Sequence, residues 1–170
     1  MIRSCIMRGQ LHVPPIRDKN LKISEKVLYD IKDLMEQIYG KSVLTNILPH
    51  FKRSDIVLCF DENGNSVTED IIECFPPVFS GEIASKHYLL SKKHELRDKL
   101  DKCELIAVIL GYSNFFLETD QKVSELEMKI QQLEMVGYKT VVIKWDDWFN
   151  SRCEERKKLI KDKIQKVLNS

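Results

Sequence analysis

Two tryptophans, Trp145 and Trp148, stand close behind Lys139 and Lys144 and just ahead of a stretch carrying Arg152, Arg156, Lys157, Lys161, Lys163 and Lys166. Flat indole rings beside fixed cations are the side-chain types that hold unpaired bases and phosphates, each stacked base contributing about 1–3 kcal/mol. The same residues also serve as the packed end of a buried strand and the solvated face of an amphipathic helix. Both uses stay open on sequence grounds. Lys52-Arg53 and Lys92-Lys93 are short basic pairs best explained by solvation alone.

Other chemistries find less support. The five cysteines (Cys5, Cys59, Cys74, Cys103, Cys153) form no C-x-x-C pair, and none has a histidine at zinc-ligand spacing. They read as small hydrophobes in a reducing compartment. His12, His50, His87 and His94 show no metal-ligand spacing either. Phosphoryl transfer needs a glycine-rich loop, a V-A-I-K lysine, an H-R-D and a D-F-G, and the chain has none of them. Kinase activity is not expected.

The elements that would position these residues follow from the apolar pattern. Val27, Leu28, Ile31, Leu34, Met35 and Ile38 mark one face of a helix over 24–39, with Ser24 as N-cap and Gly40 as terminator. Residues 54–61 predict a strand, and Asn63-Gly64 predicts a hairpin return through Val67. Residues 68–81, with Pro76-Pro77, are expected as loop, and 82–102 as an exposed, partly helical insertion. The unbroken apolar run 105–110 predicts a strand covered on both faces. A helix over 122–136, a strand over 140–145 and a last helix through Leu168 complete the chain. A strand, a helix and a strand so joined form a right-handed parallel unit. The predicted order is α-β-β-β-α-β-α, a three-layer α/β fold.

Length and hydrophobic content suit one compact domain, or one domain with an N-terminal extension. No apolar run approaches the ~18–20 residues that span a bilayer. Charge is uneven behind a net +1: residues 1–22 carry +4, 54–85 carry −7, 104–150 carry −4 and 151–170 carry +4. Phosphate attraction is therefore confined to the ends and to local patches. The acid-free, arginine-bearing start before Asp18 has the character of a transit peptide.

Three stretches resemble the FAST-kinase-domain-containing family. Gly40-Lys-Ser-Val-Leu-Thr-Asn-Ile-Leu-Pro-His-Phe51 and Ser54–Asp61 are similar to the end of that family's second FAST segment. Residues 105–111 resemble the first strand of its RAP domain. Met128-Lys129 and Leu133–Trp148 resemble the RAP ending of helix, Gly-Tyr, strand and acid-Trp. The implied boundaries are a FAST-like segment over 1–53, a strand hairpin and insertion over 54–103, and a RAP domain over 104–168. Family members are longer, so the resemblance implies that this chain corresponds to a C-terminal fragment or a short isoform.

The resemblance implies a restriction-endonuclease-like core of the PD-(D/E)XK type. It also implies a mitochondrial matrix protein that binds single-stranded transcripts without catalysis, needs no cofactor and does not enter membranes. The expected RNA contacts are Lys129, Gln132, Lys139, Lys144, Trp148, Arg152, Arg156 and Lys157. An alternative is a metal-dependent endoribonuclease using Mg²⁺, with Asp55 and Asp61 converging near Lys129. Against it, the strand at 105–110 lacks the acidic residue such enzymes place there, and no Glu-x-Lys sits on it. A third reading is a protein-interaction module whose acidic stretches meet a basic partner.

Overall fold

The computed structural model describes residues 22–51, 53–77, 80–92, 97–111 and 124–170. The basic segment before Lys22, Lys52, Lys93, His12, His94, Leu96 and Val123 lie outside the described residues, as does the side chain of Leu100. Four strands form one mixed sheet in the order β1-β2-β3-β4: β1 (Val43–Thr45), β2 (Asp55–Phe60), β3 (Glu104–Gly111) and β4 (Tyr138–Lys144). β1 pairs antiparallel with β2, β2 antiparallel with β3, and β3 parallel with β4. The fold is α/β, as its apolar pattern predicts.

β2 and β3 have no polar alternation between Ile56 and Phe60 or between Leu105 and Leu110 because helices cover the sheet on both sides. On one face Leu44, Ile56, Leu58, Ile106, Val108, Val141 and Ile143 pack against α1 (Ile23–Tyr39) and the C-terminal helix α7 (Cys153–Leu168). On the other, Val43, Val57, Cys59, Leu105, Ala107 and Ile109 meet α5 (Ser124–Met135), through Leu126 and Leu133. That second layer also includes α2 (Thr68–Ile71), a 3₁₀ turn (Ile72–Cys74) and α3 (Lys86–Lys92), while α4 (Arg97–Asp101) precedes β3. Each fully buried Leu or Ile in these layers contributes about 1.5–3 kcal/mol.

Several expectations need correction. Helix α1 begins at Ile23 after Lys22, so Ser24 lies inside its first turn; Glu25 instead accepts the Lys22 backbone N–H at 2.9 Å. Gly40 does end it, at φ 84°, its N–H donating to the Glu36 carbonyl at 3.0 Å. The Asn-Gly turn does not return as a strand. Only a single bridge, Phe60 to Ser66, forms before α2 begins. The reason is local: Val67 donates its N–H to the Cys59 carbonyl at 2.8 Å, and the Thr68 hydroxyl accepts the Cys59 N–H at 2.9 Å. One side chain thus completes what a strand would have supplied, and β1 takes the rest of that edge of β2.

Residues 68–74 are helical rather than loop, while the described part of 82–102 is partly helical and largely exposed as expected, with Ala84 and Leu89 buried. Ile71, Cys74, Phe75, Ala84 and Leu89 are core residues, with Leu89 fully buried. The last helix is broken into α6 (Trp145–Asn150) and α7, and Trp145 opens α6 rather than closing a strand. Gly137, between α5 and β4, has φ 100°, and a Cβ there would sit 2.6 Å from the Lys86 Cβ. Both the left-handed backbone and the close approach of α3 demand glycine.

Candidate functional site

The antiparallel start of β2 lies at the carboxyl ends of the parallel pair β3 and β4, the edge where open α/β sheets place ligands. There the loop between β1 and β2 lies over α5. Ile47 and Leu48 of that loop are core residues, and the Ile47 carbonyl accepts the Ala84 N–H at 3.2 Å. Beyond Leu48 the chain comes to the surface, with Pro49 half-buried and Phe51 half-buried against the core. His50 is exposed, its Nε2 lies 2.7 Å from the Gln132 Oε1, and its ring lies against Phe51 at 4.6 Å between centroids. Arg53 is exposed at the end of the same loop.

Beneath this loop Lys129 of α5 reaches Asp55, Nζ to Oδ1 at 2.6 Å, with both side chains almost fully buried. The ammonium also donates to the Arg53 carbonyl at 3.5 Å and lies 5.6 Å from the Phe51 ring centroid. Burial pushes the Asp55 carboxyl up to about 6 against the opposing pull of Lys129. The Lys129 Nζ thus points into the fold rather than to solvent.

No protein-family model, curated protein or solved structure matches the chain.

The geometry settles where the expected site residues lie. Asp61 does not join Asp55: it follows the opposite end of β2, about 20 Å away at strand rise. It is tied into its own turn, accepting the Asn65 and Asn63 backbone N–H groups at 2.8 and 2.9 Å, and these hold its carboxyl below the usual range. The register carried one step beyond Ile56–Val108 sets Ile109 beside Asp55, with Gly111 next on that face. Among the described residues no group of three or more His, Cys, Asp or Glu side chains is placed to hold a metal. The donor set around Asp55, one carboxylate already neutralised by Lys129, does not fit Mg²⁺.

The eight expected RNA contacts divide between the two faces of the sheet. Lys129 and Gln132 are on α5; Lys129 is buried and engaged, so it offers no charge to solvent. Trp148 is 2% exposed, so base stacking on it is ruled out in this fold. The Arg156 guanidinium covers its ring at 4.6 Å and donates from Nε to its carbonyl at 2.9 Å, capping the end of α6. Lys139 bridges Glu104 at 3.5 Å and the Val167 carbonyl at 3.3 Å. Lys157 meets Glu154 at 3.3 Å. Lys144 is half-buried at the end of β4, and Arg152 is exposed where α7 begins, its backbone N–H taken by Glu155.

His50 and Phe51 were not marked by their types, and only their contacts reveal them. Gln132 is 82 positions from His50 in sequence, so no local pattern links the two. The signs in the sequence that this stretch is not an ordinary linker were its resemblance to the FAST segment and the Pro49-His50 step.

Proposed function

We propose that this chain is a non-catalytic RNA-binding module of the FAST-kinase/RAP kind, with restriction-endonuclease-like layering, acting on single-stranded transcripts in mitochondria. The observation that carries the reading is the β1–β2 loop seated on α5, which presents His50, Phe51 and Gln132 together at the carboxyl edge of the sheet. An imidazole, an aromatic ring and an amide in contact provide stacking and hydrogen bonding to an unpaired base, the usual mode of single-strand RNA recognition. The order of three strands, a crossover helix and a parallel fourth strand supports the layering. The neutralised Asp55 and its apolar neighbour Ile109 support the absence of hydrolysis. Among the described residues no helix is long and apolar enough to cross a membrane.

Binding of the purified chain to single-stranded RNA across a salt series, with and without Mg²⁺ and with product analysis, tests this. Intact RNA bound by the wild type, with an affinity about tenfold lower in His50→Ala, is the expected outcome. Mg²⁺-dependent cleavage would replace this reading with the nuclease. No binding at low salt would leave the protein-interaction module.

A further inference from the structure

A buried ion pair is seldom a net source of stability, because withdrawing two charges from water offsets most of their attraction. Asp55 and Lys129 therefore call for a role other than holding α5 to the sheet, which Leu126 and Leu133 already do. The three donors of the Lys129 ammonium face three groups: the Asp55 carboxylate on β2, the Arg53 carbonyl and the Phe51 ring. Two of these belong to the second half of the β1–β2 loop, where Phe51 is half-buried against the core and His50 and Arg53 are exposed. Its first half is anchored by Ile47 and Leu48 in the core and needs no such tie. The His50–Gln132 contact is exposed and has to compete with water.

We infer that Lys129 is the positioning residue of this site: held by Asp55, it fixes Phe51 and Arg53 in the conformation that presents His50 and Phe51. The inference concerns loop order, and only its RNA readout rests on the function proposed above. Asp55 aims the ammonium, the ammonium fixes the Arg53 carbonyl and the Phe51 ring, and the imidazole is thereby held at the edge of the sheet. Lys129 itself does not touch the ligand.

Amide hydrogen exchange at Phe51, whose N–H donates to the Leu48 carbonyl at 3.0 Å, reports on the loop directly. The variant Asp55→Leu/Lys129→Met replaces the pair with apolar groups of similar size and is expected to keep the fold. In it, Phe51 exchange should accelerate by about tenfold or more while amides of β3 and β4 keep their protection. RNA affinity should fall with an unchanged salt slope, since no phosphate contact is removed. Unchanged exchange at Phe51 would overturn the inference. A second variant, Gln132→Ala, removes the exposed tether and leaves the core alone. Phe51 should stay protected there, and loss of protection would assign the positioning role to Gln132 instead. Should the wild type bind no RNA, the exchange arms still decide whether Lys129 orders the loop, and only the proposed function fails.

Discussion

A carboxylate and an ammonium 2.6 Å apart, both withdrawn from water, cost more to separate than to remove together. Asp55→Asn or Lys129→Met alone should destabilise the chain by about 3–5 kcal/mol, and the apolar double replacement should recover most of it, as urea unfolding would show. The pair also has a pH signature. Because burial raises the Asp55 carboxyl to about 6 in the fold, its contribution to stability is fully present below the ordinary value of an unfolded aspartate. That contribution is lost as pH rises through about 6. Glu36 acts in the opposite sense. Burial raises its carboxyl, but Lys32 at 2.5 Å and Ser42, through its N–H at 3.0 Å and hydroxyl at 3.1 Å, outweigh this and hold it below the usual range. Its contribution is lost as pH falls. Comparing stability against pH in the wild type and Asp55→Asn isolates the Asp55 slope, which the variant should lack. Trp148 is the other residue on which much depends: Trp148→Ala should cost about 3–5 kcal/mol and remove the ring under the Arg156 guanidinium, while the Arg156 bond to the backbone carbonyl of position 148 stays available.

At the scale of elements, what a sequence reveals depends on how local its cause is. The stripes of α1, α5 and α7 and the apolar runs of β3 and β4 are written in consecutive residues and emerge within a few positions of their predicted ends. β1 is three residues long and is a strand only because β2 lies beside it, so its own residues carry no period to read. The failed hairpin after Asn63-Gly64 has the same origin: Thr68 satisfies Cys59, a contact that propensity does not encode. The site was half legible. Asp55, Lys129 and Gln132 were singled out, but Lys129 was expected to contact RNA and Trp148 was left open between core and base stacking, where the fold buries both. Two element-level outcomes follow. Gly137→Ala should lower stability by about 1–3 kcal/mol, measured by thermal unfolding, since the added carbon strains φ and meets Lys86. Among the cysteines of the described residues, Cys153 is exposed whereas Cys59, Cys74 and Cys103 are buried, and burial pushes the Cys59 and Cys103 thiols up. Brief alkylation of the native protein, read by mass spectrometry, should therefore label Cys153 and spare the other three.

Over the whole molecule the charge is divided rather than pooled. The exposed acids Glu125, Glu127 and Glu134 surround the outer side of α5, close to the proposed RNA site, while cations gather on α7 beyond the opposite face of the sheet. RNA bound at His50 and Phe51 should consequently depend weakly on salt, with a slope near that of one or two phosphate contacts, about −0.7 each. A steep slope would move the binding surface to α7. The connection between β2 and β3 has a consequence of another kind. These neighbours in the sheet are separated by residues 61–103, whereas β3 and β4 are joined by a single crossover and β1 and β2 by a short loop. Loop closure makes the β2–β3 pairing the costliest contact to form from an open chain. The segment from β3 to α7 is thus expected to assemble early and to wait for the N-terminal half. In refolding followed by pulse-labelled exchange, amides of β4 should become protected before those of β1, and mutations in β1 should speed unfolding more than they slow folding.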